Sequence, residues 1–158
     1  MEGGFNDAMG ENVKPASRET VTPLGAITES YNVADFDTSI FAGALEEMFY
    51  YARLYFKNAK LGFIVTYFTP ISKYGGVTSS YGDMSNYWGL AKKICKKCNI
   101  PYLDLFDGVA ADGKSYSRDI LKTHAPEFFP GEGDEVHLNS AGYDVISPYI
   151  AERIESIT

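Results

Sequence analysis

An α/β domain built on a parallel sheet is the fold class the sequence predicts, on three observations. Residues 61–68 (Leu-Gly-Phe-Ile-Val-Thr-Tyr-Phe) and 100–106 (Ile-Pro-Tyr-Leu-Asp-Leu-Phe) are largely apolar runs rich in β-branched and aromatic residues. Such runs mark strands buried on both faces, as parallel sheets require. A stretch with apolar residues at helical spacing precedes each run. The order helix, strand, helix, strand is that of βαβ units. At 158 residues, 45% hydrophobic and 15% aromatic, the chain fits one domain, 1–158, with a substantial core.

Residues 9–35 carry Pro15, Pro23, Gly25 and scattered Ser, Thr and Asn without a sustained period, and they predict a long loop. A loop of that length in a compact domain usually has a function. Past Asp37, a candidate N-cap, apolar residues recur at Ile40, Phe41, Ala44, Leu45, Met48, Phe49, Ala52 and Phe56, the spacing of a buried helical stripe. Thr69-Pro70 ends the first strand, and residues 72–82 form a Gly/Ser-rich loop. Tyr87, Leu90, Ala91, Ile94 and Cys98 mark a second helix that stops near Asn99. In the second strand Pro101 stands at the start, where a missing N–H matters least. Residues 107–133 read as loop with one short helix around 117–123. A final helix is capped by Asn139 and carries Ile146, Ile150, Ile154 and Ile157. Pro148 inside it predicts a bend.

The formal charge of -7 and the absence of a Lys/Arg stripe argue against nucleic acid or an anionic membrane as partner. A small neutral substrate or another protein fits better. No apolar run reaches the length of a membrane span, and Met1-Glu2-Gly3-Gly4 has neither the basic nor the apolar part of a signal peptide. If the gene begins upstream, that says nothing of export, so the compartment stays open. Cys95 and Cys98 are the only cysteines. They have redox spacing but fall near a helix C-terminus among Lys92, Lys93, Lys96 and Lys97, where the dipole does not favour thiolate, so helix-face packing explains them.

The residues best suited to chemistry are Asp134-Glu135-Val136-His137, a carboxylate three residues before a histidine on the loop entering the last helix. An imidazole there can take a proton from a hydroxyl nucleophile while the carboxylate fixes its tautomer. Taken alone the pair also fits a surface histidine beside an acid. The second witness is Gly4-Phe5-Asn6-Asp7. An Asn amide beside a Gly, where backbone approaches closely, can hold an oxyanion, although by itself this is also a good turn. Gly82-Asp83-Met84-Ser85 is a weak imitation of a nucleophile motif, and Ser85 reads better as a helix N-cap. His124 with His137 lacks metal-ligand spacing. Tyr31, Tyr67, Phe68, Tyr74, Tyr81, Tyr87 and Trp88 would suit a sugar face, but aromatics on strands and helix stripes are mostly core.

In these two blocks the chain resembles the SGNH (GDSL-type) hydrolase superfamily, whose third block is Gly-x-Asn-Asp and whose fifth is Asp-x-x-His. The resemblance spans essentially the whole chain. It implies a flavodoxin-like three-layer α/β/α fold, truncated at the N-terminus with few parallel strands remaining, and a serine ester hydrolase (an esterase or acylhydrolase, with a carbohydrate deacetylase among the candidates). His137 would be the general base, Asp134 its orienting partner, Asn6 an oxyanion donor and Gly4 part of the substrate-binding turn. The Gly-Asp-Ser block with the nucleophile and the block with a second oxyanion donor are missing, since both would precede Gly4. The chain alone is therefore expected to be inactive. It needs no metal or organic cofactor. A two-stranded remnant of the sheet predicts self-association or completion by an N-terminal partner segment. The rival expectation is a non-catalytic module that binds carbohydrate or a partner strand, and a thiol redox protein ranks last.

Overall fold

A computed structural model describes residues 22–66, 78–79, 82–105, 125–128 and 137–157. Its elements in chain order are a 3-10 turn (Val33–Asp35), helix α1 (Phe41–Tyr55), strands β1 (Phe63–Val65), β2 (Thr78–Ser79) and β3 (Gly82–Asp83), helix α2 (Met84–Lys97), strand β4 (Tyr102–Asp104) and helices α3 (Ala125–Phe128) and α4 (Ser140–Ile157). β1 and β4 pair in parallel, Phe63 opposite Tyr102 and Val65 opposite Asp104. β2 and β3 form a short antiparallel rung. The chain is an α/β protein with a parallel sheet.

Side chains alternate along a strand, and each strand feeds two cores. Phe63, Val65 and Tyr102 join the cluster made with Phe41, Leu45 and Phe49 of α1 and Tyr87, Trp88, Ala91 and Ile94 of α2. Leu103 and Leu105 turn the other way, into a cluster with Phe128, Leu138 and Ile146 that Ile64 packs against. The sheet is thus covered on both faces, as the continuous apolar runs predict. The hydrogen-bonded strands are shorter than the runs, and residues 67–68 and 106 lie outside the described residues.

The buried face of α1 departs from the predicted stripe. Phe41, Leu45, Phe49 and Ala52 are buried as expected, together with Ala42 and Glu46. Ala44 is exposed, and Phe56, at the C-cap, is 63% exposed. The stripe is turned toward Glu46 because a cation waits there. Lys97 Nζ donates to Glu46 Oε1 at 2.5 Å and to the carbonyls of Thr28 and Ser30 at 2.5 and 2.6 Å. It also lies over the rings of Tyr31 and Phe36, at 4.9 and 5.5 Å from their centroids. Three oxygens exhaust the three donors of the ammonium. The pair ties the loop before α1 to both α1 and α2.

Asp37 does not cap α1. Its Oδ1 accepts from the Ser39 N–H at 3.0 Å and the Ser39 hydroxyl at 2.6 Å, closing a local turn. The same two bonds hold the Asp37 carboxyl below its usual range. The N-cap position falls at Ile40, which gives no side-chain cap. The first amides of the helix instead donate to the preceding loop, Phe41 N–H to Pro23 O at 2.8 Å and Ala42 N–H to Leu24 O at 3.1 Å. Backbone carbonyls satisfy donors that a helix start otherwise leaves to side chains or water. Gly43 lets the Asp37 turn lie against the first turn of α1, since a Cβ there would overlap the backbone of Asp37.

Other sequence expectations fare variously. The loop before α1 is confirmed over residues 22–35, with the 3-10 turn held by Asn32 Oδ1, which accepts from the Ala34 N–H at 3.2 Å. The β2–β3 rung was not foreseen. α2 begins at Met84, so Ser85 stands inside its first turn and not at its N-cap. α2 ends at Lys97, and Asn99 takes a left-handed φ of 51° just beyond, the conformation Asn tolerates best after Gly. The short helix expected at 117–123 lies outside the described residues. In α4, Pro148 sits within the helix, Ile146 is buried and Ile154 is 55% exposed. At about 100° per residue, Ile154 stands roughly 80° around the axis from Ile146, whereas Ile157 returns to within about 20°.

Candidate functional site at the carboxyl end of the sheet

Open parallel α/β sheets place ligands beyond the carboxyl ends of their strands, and His137 stands toward that end: α4, which it precedes, packs Ile146 with Leu103 and Leu105 and brings its last residue, Ile157, beside Gly62 at the amino end of β1. The next residue, Leu138, is buried in the cluster that holds Leu103 and Leu105 of β4 and the residue following it. His137 itself is exposed, at a bend. The segment is fixed by Asn139, the predicted cap of α4. Asn139 Oδ1 accepts from the Gly142 N–H at 3.0 Å, and its Nδ2 donates to Glu127 O at 2.7 Å. Its backbone N–H donates to Phe128 O at 2.7 Å. One side chain therefore caps α4 and clamps the His137 loop to α3. Gly142 leaves room for the clamp, because a Cβ there would stand 2.7 Å from Leu138 Cδ2 and 2.8 Å from Phe128 O.

Asp134, Asn6 and Gly4, the other predicted site residues, lie outside the described residues, as does His124. Two polar features at the same pole were not singled out from sequence. Asp104, at the end of β4, is 2% exposed and accepts from Lys92 Nζ of α2 at 2.7 Å. Thr66, directly after β1, is also buried. The signal for Asp104 was an acid interrupting an apolar strand, which requires a partner once buried. Burial raises the Tyr102 hydroxyl on the same strand above its usual range.

Of the aromatic candidates, Tyr87 and Trp88 are fully buried and belong to the core. Tyr31 is 69% exposed and covers Lys97. Tyr67, Phe68, Tyr74 and Tyr81 lie outside the described residues with side-chain environments. A different aromatic surface appears on the outer side of α1. Tyr51 and Tyr55 stack at 5.7 Å between centroids, and Tyr50 meets both Tyr51 and Phe36 edge-on. The sequence signal was a second i, i+4 aromatic pair opposite the buried stripe.

The cysteines are both free thiols. Burial, then the neighbouring Cys98, pushes the Cys95 thiol up from 9.0 to about 12. Burial likewise raises Cys98. A thiol that resists ionisation is a poor nucleophile, which favours the packing role over redox chemistry. The folded-state value of Cys95 exceeds the unfolded one, so its contribution to stability is complete below about 9 and is lost as pH rises toward about 12. Native Cys95 is expected to resist iodoacetamide at mildly alkaline pH and to react on unfolding. The urea midpoint is expected to fall across that alkaline window, and Cys95→Ala to flatten the fall.

No family model matches the chain, and no curated protein matches it. Two solved structures share its fold. One is a structural-genomics crystal structure of a protein from Lactobacillus plantarum, 20% identical, with a TM-score of 0.65 over 87% of this chain and 61% of that one. The second crystal structure is 21% identical, with a TM-score of 0.66 over 99% of this chain and 63% of the other. The chain spans about three fifths of the length of the solved structures it matches. At this identity the likeness speaks for the α/β fold alone. No helix among the described residues is long and apolar enough to cross a membrane.

Proposed function

We propose that the chain is the C-terminal portion of an SGNH-type ester hydrolase that acts on an acyl ester, with an acetylated saccharide among its candidate substrates. The observation that carries this reading is the position of His137. It is exposed and immediately precedes a helix start clamped by Asn139, on a helix whose far end reaches the amino end of β1. Asp134 three residues earlier and the Gly4-Phe5-Asn6-Asp7 turn supply the remaining chemistry.

In the complete enzyme a serine hydroxyl from a preceding segment attacks the ester carbonyl carbon, and His137 takes its proton. Asp134 accepts from the other ring nitrogen and stabilises the imidazolium. Negative charge gathers on the carbonyl oxygen, where the Asn6 amide and the backbone near Gly4 donate to it. Collapse expels the alcohol, which leaves with the proton from His137. Water then attacks the acyl-serine along the same route in reverse, releasing the acid and restoring the serine.

The test is to lengthen the polypeptide by the codons in frame upstream of Met1. The account expects a Gly-Asp-Ser in that extension, a serine labelled by a fluorophosphonate, and p-nitrophenyl acetate turnover that drops by roughly 10⁴-fold or more in His137→Ala. The present chain alone is expected to be no faster than its own His137→Ala variant. Turnover by the lengthened protein that survives His137→Ala rejects the assignment of the base. His137-dependent turnover by the present chain, with a labelled serine, rejects the missing nucleophile.

The exposed Tyr50, Tyr51 and Tyr55 surface favours a second reading, a non-catalytic carbohydrate-binding module. Titration with acetylated and free oligosaccharides separates the two. Binding that persists in His137→Ala and disappears in Tyr55→Ala supports the module.

A further inference from the structure

At the amino ends of β1 and β4, the pole opposite His137, Arg53, Phe56, Lys57, Lys60, Leu61 and Ile157 help line a cleft of about 550 Å³. That volume falls in the range of small-molecule sites. We propose that this cleft binds an amphipathic anion, a phosphate or carboxylate carried on an apolar body. The proposal is independent of the hydrolase reading.

The charge of the lining is the first reason. In a chain of net charge -7, the cleft gathers Arg53, Lys57 and Lys60, and no Asp or Glu among the described residues lines it. The C-termini of α1, α2 and α4 converge on this pole, and helix ends of that polarity attract cations for structural reasons alone. Arg53 already meets that demand with one nitrogen. Its Nη2 donates to the carbonyls of Cys98 and Asn99 at 2.7 and 3.0 Å, closing the end of α2. Those bonds restrain the guanidinium through Nη2 and make no use of Nη1 or Nε. A guanidinium held in this way is preorganised for the paired oxygens of a carboxylate or phosphate. Lys57, past the end of α1, makes no hydrogen bond or ion pair among the described residues and supplies a second positive charge.

The apolar half of the wall is the second reason. Phe56 is 63% exposed, and Leu61, Ile100, Pro101 and Ile157 lie beside it. Gly62 lets Ile157 close that side, since a Cβ at Gly62 would stand 3.0 Å from Ile157 Cδ1. A bare inorganic anion would leave this surface wet, whereas an aromatic or acyl body would cover it.

The experiment is a ¹⁵N–¹H chemical-shift titration of the full chain with phenyl phosphate, inorganic phosphate and phenol. The proposal expects phenyl phosphate to shift the amides of residues 57–61 and 99–102, to bind more tightly than inorganic phosphate, and to weaken as salt is raised. Phenol is expected to leave those amides in place. Lys57→Glu, on an exposed side chain, is expected to preserve the rest of the spectrum and weaken phenyl phosphate about tenfold. The proposal is overturned if phenyl phosphate leaves these amides unmoved, if phenol binds as well as phenyl phosphate, or if Lys57→Glu retains full affinity.

Discussion

Replacing Lys97 by Met is expected to lower the unfolding free energy by about 3–5 kcal/mol, the range for breaking a buried ion pair from one side. The size of the effect follows from what is left behind. Glu46 is 1% exposed and would keep its carboxylate without a cation, while the carbonyls of Thr28 and Ser30 lose their donor. The ring faces of Tyr31 and Phe36 lose the charge above them as well. An unbranched apolar chain one atom shorter restores most of the volume but none of these bonds. Urea unfolding followed by circular dichroism checks the value. The double variant Lys97→Met/Glu46→Leu should recover much of the loss, because removing both charges also removes the cost of desolvating them. A single variant as stable as the parent would mean that the pair is solvated in solution.

Phe49→Ala is expected to be of similar size, about 3–5 kcal/mol, through a different cause. Phe49 is 1% exposed at the centre of α1 and meets the ring of Phe63 edge-on, 5.6 Å between centroids at 87°. Truncation loses the transfer free energy of the ring and leaves a cavity between α1 and β1, two elements that cannot close on each other without shifting the sheet. Phe49→Leu, which fills most of the space, should cost markedly less. A loss below about 1 kcal/mol for Phe49→Ala would indicate that α1 relaxes onto the sheet.

The prominence of the fold in the sequence has a physical basis. Strands covered on both faces must be apolar at consecutive positions, and Phe63, Ile64 and Val65 show that directly, with odd and even positions going to separate cores. The Asn139 cap was equally legible, because a helix start advertises its need for an acceptor three residues upstream of its first free amides. The start of α1 was not legible. Asp37 has the right chemistry for a cap, but its side chain finds Ser39 first, and carbonyls of a remote loop do the capping. Nothing local in a sequence reports a partner eighteen positions away.

Charge behaved in the same way. Glu46 lies off the predicted apolar stripe, and its partner, Lys97, belongs to another helix. Asp104 was read as part of an apolar strand, without its Lys92 partner. For the candidate site, the spacing Asp134 to His137 and the turn at Asn6 are visible as local patterns, and Leu138 is the apolar residue that anchors the loop in the core beside β4. Whether the first few residues approach that loop is a long-range question, which no periodicity encodes.

That question is also the most direct test of the hydrolase account. A nitroxide placed by Asn6→Cys in a Cys98→Ser background, with Cys95 protected by its burial, reports on the distance to the His137 ring through paramagnetic broadening. The account expects the His137 side-chain resonances to broaden strongly relative to the reduced, diamagnetic sample. Sharp His137 signals, with broadening confined to residues remote from Leu138 and Asn139, would contradict it.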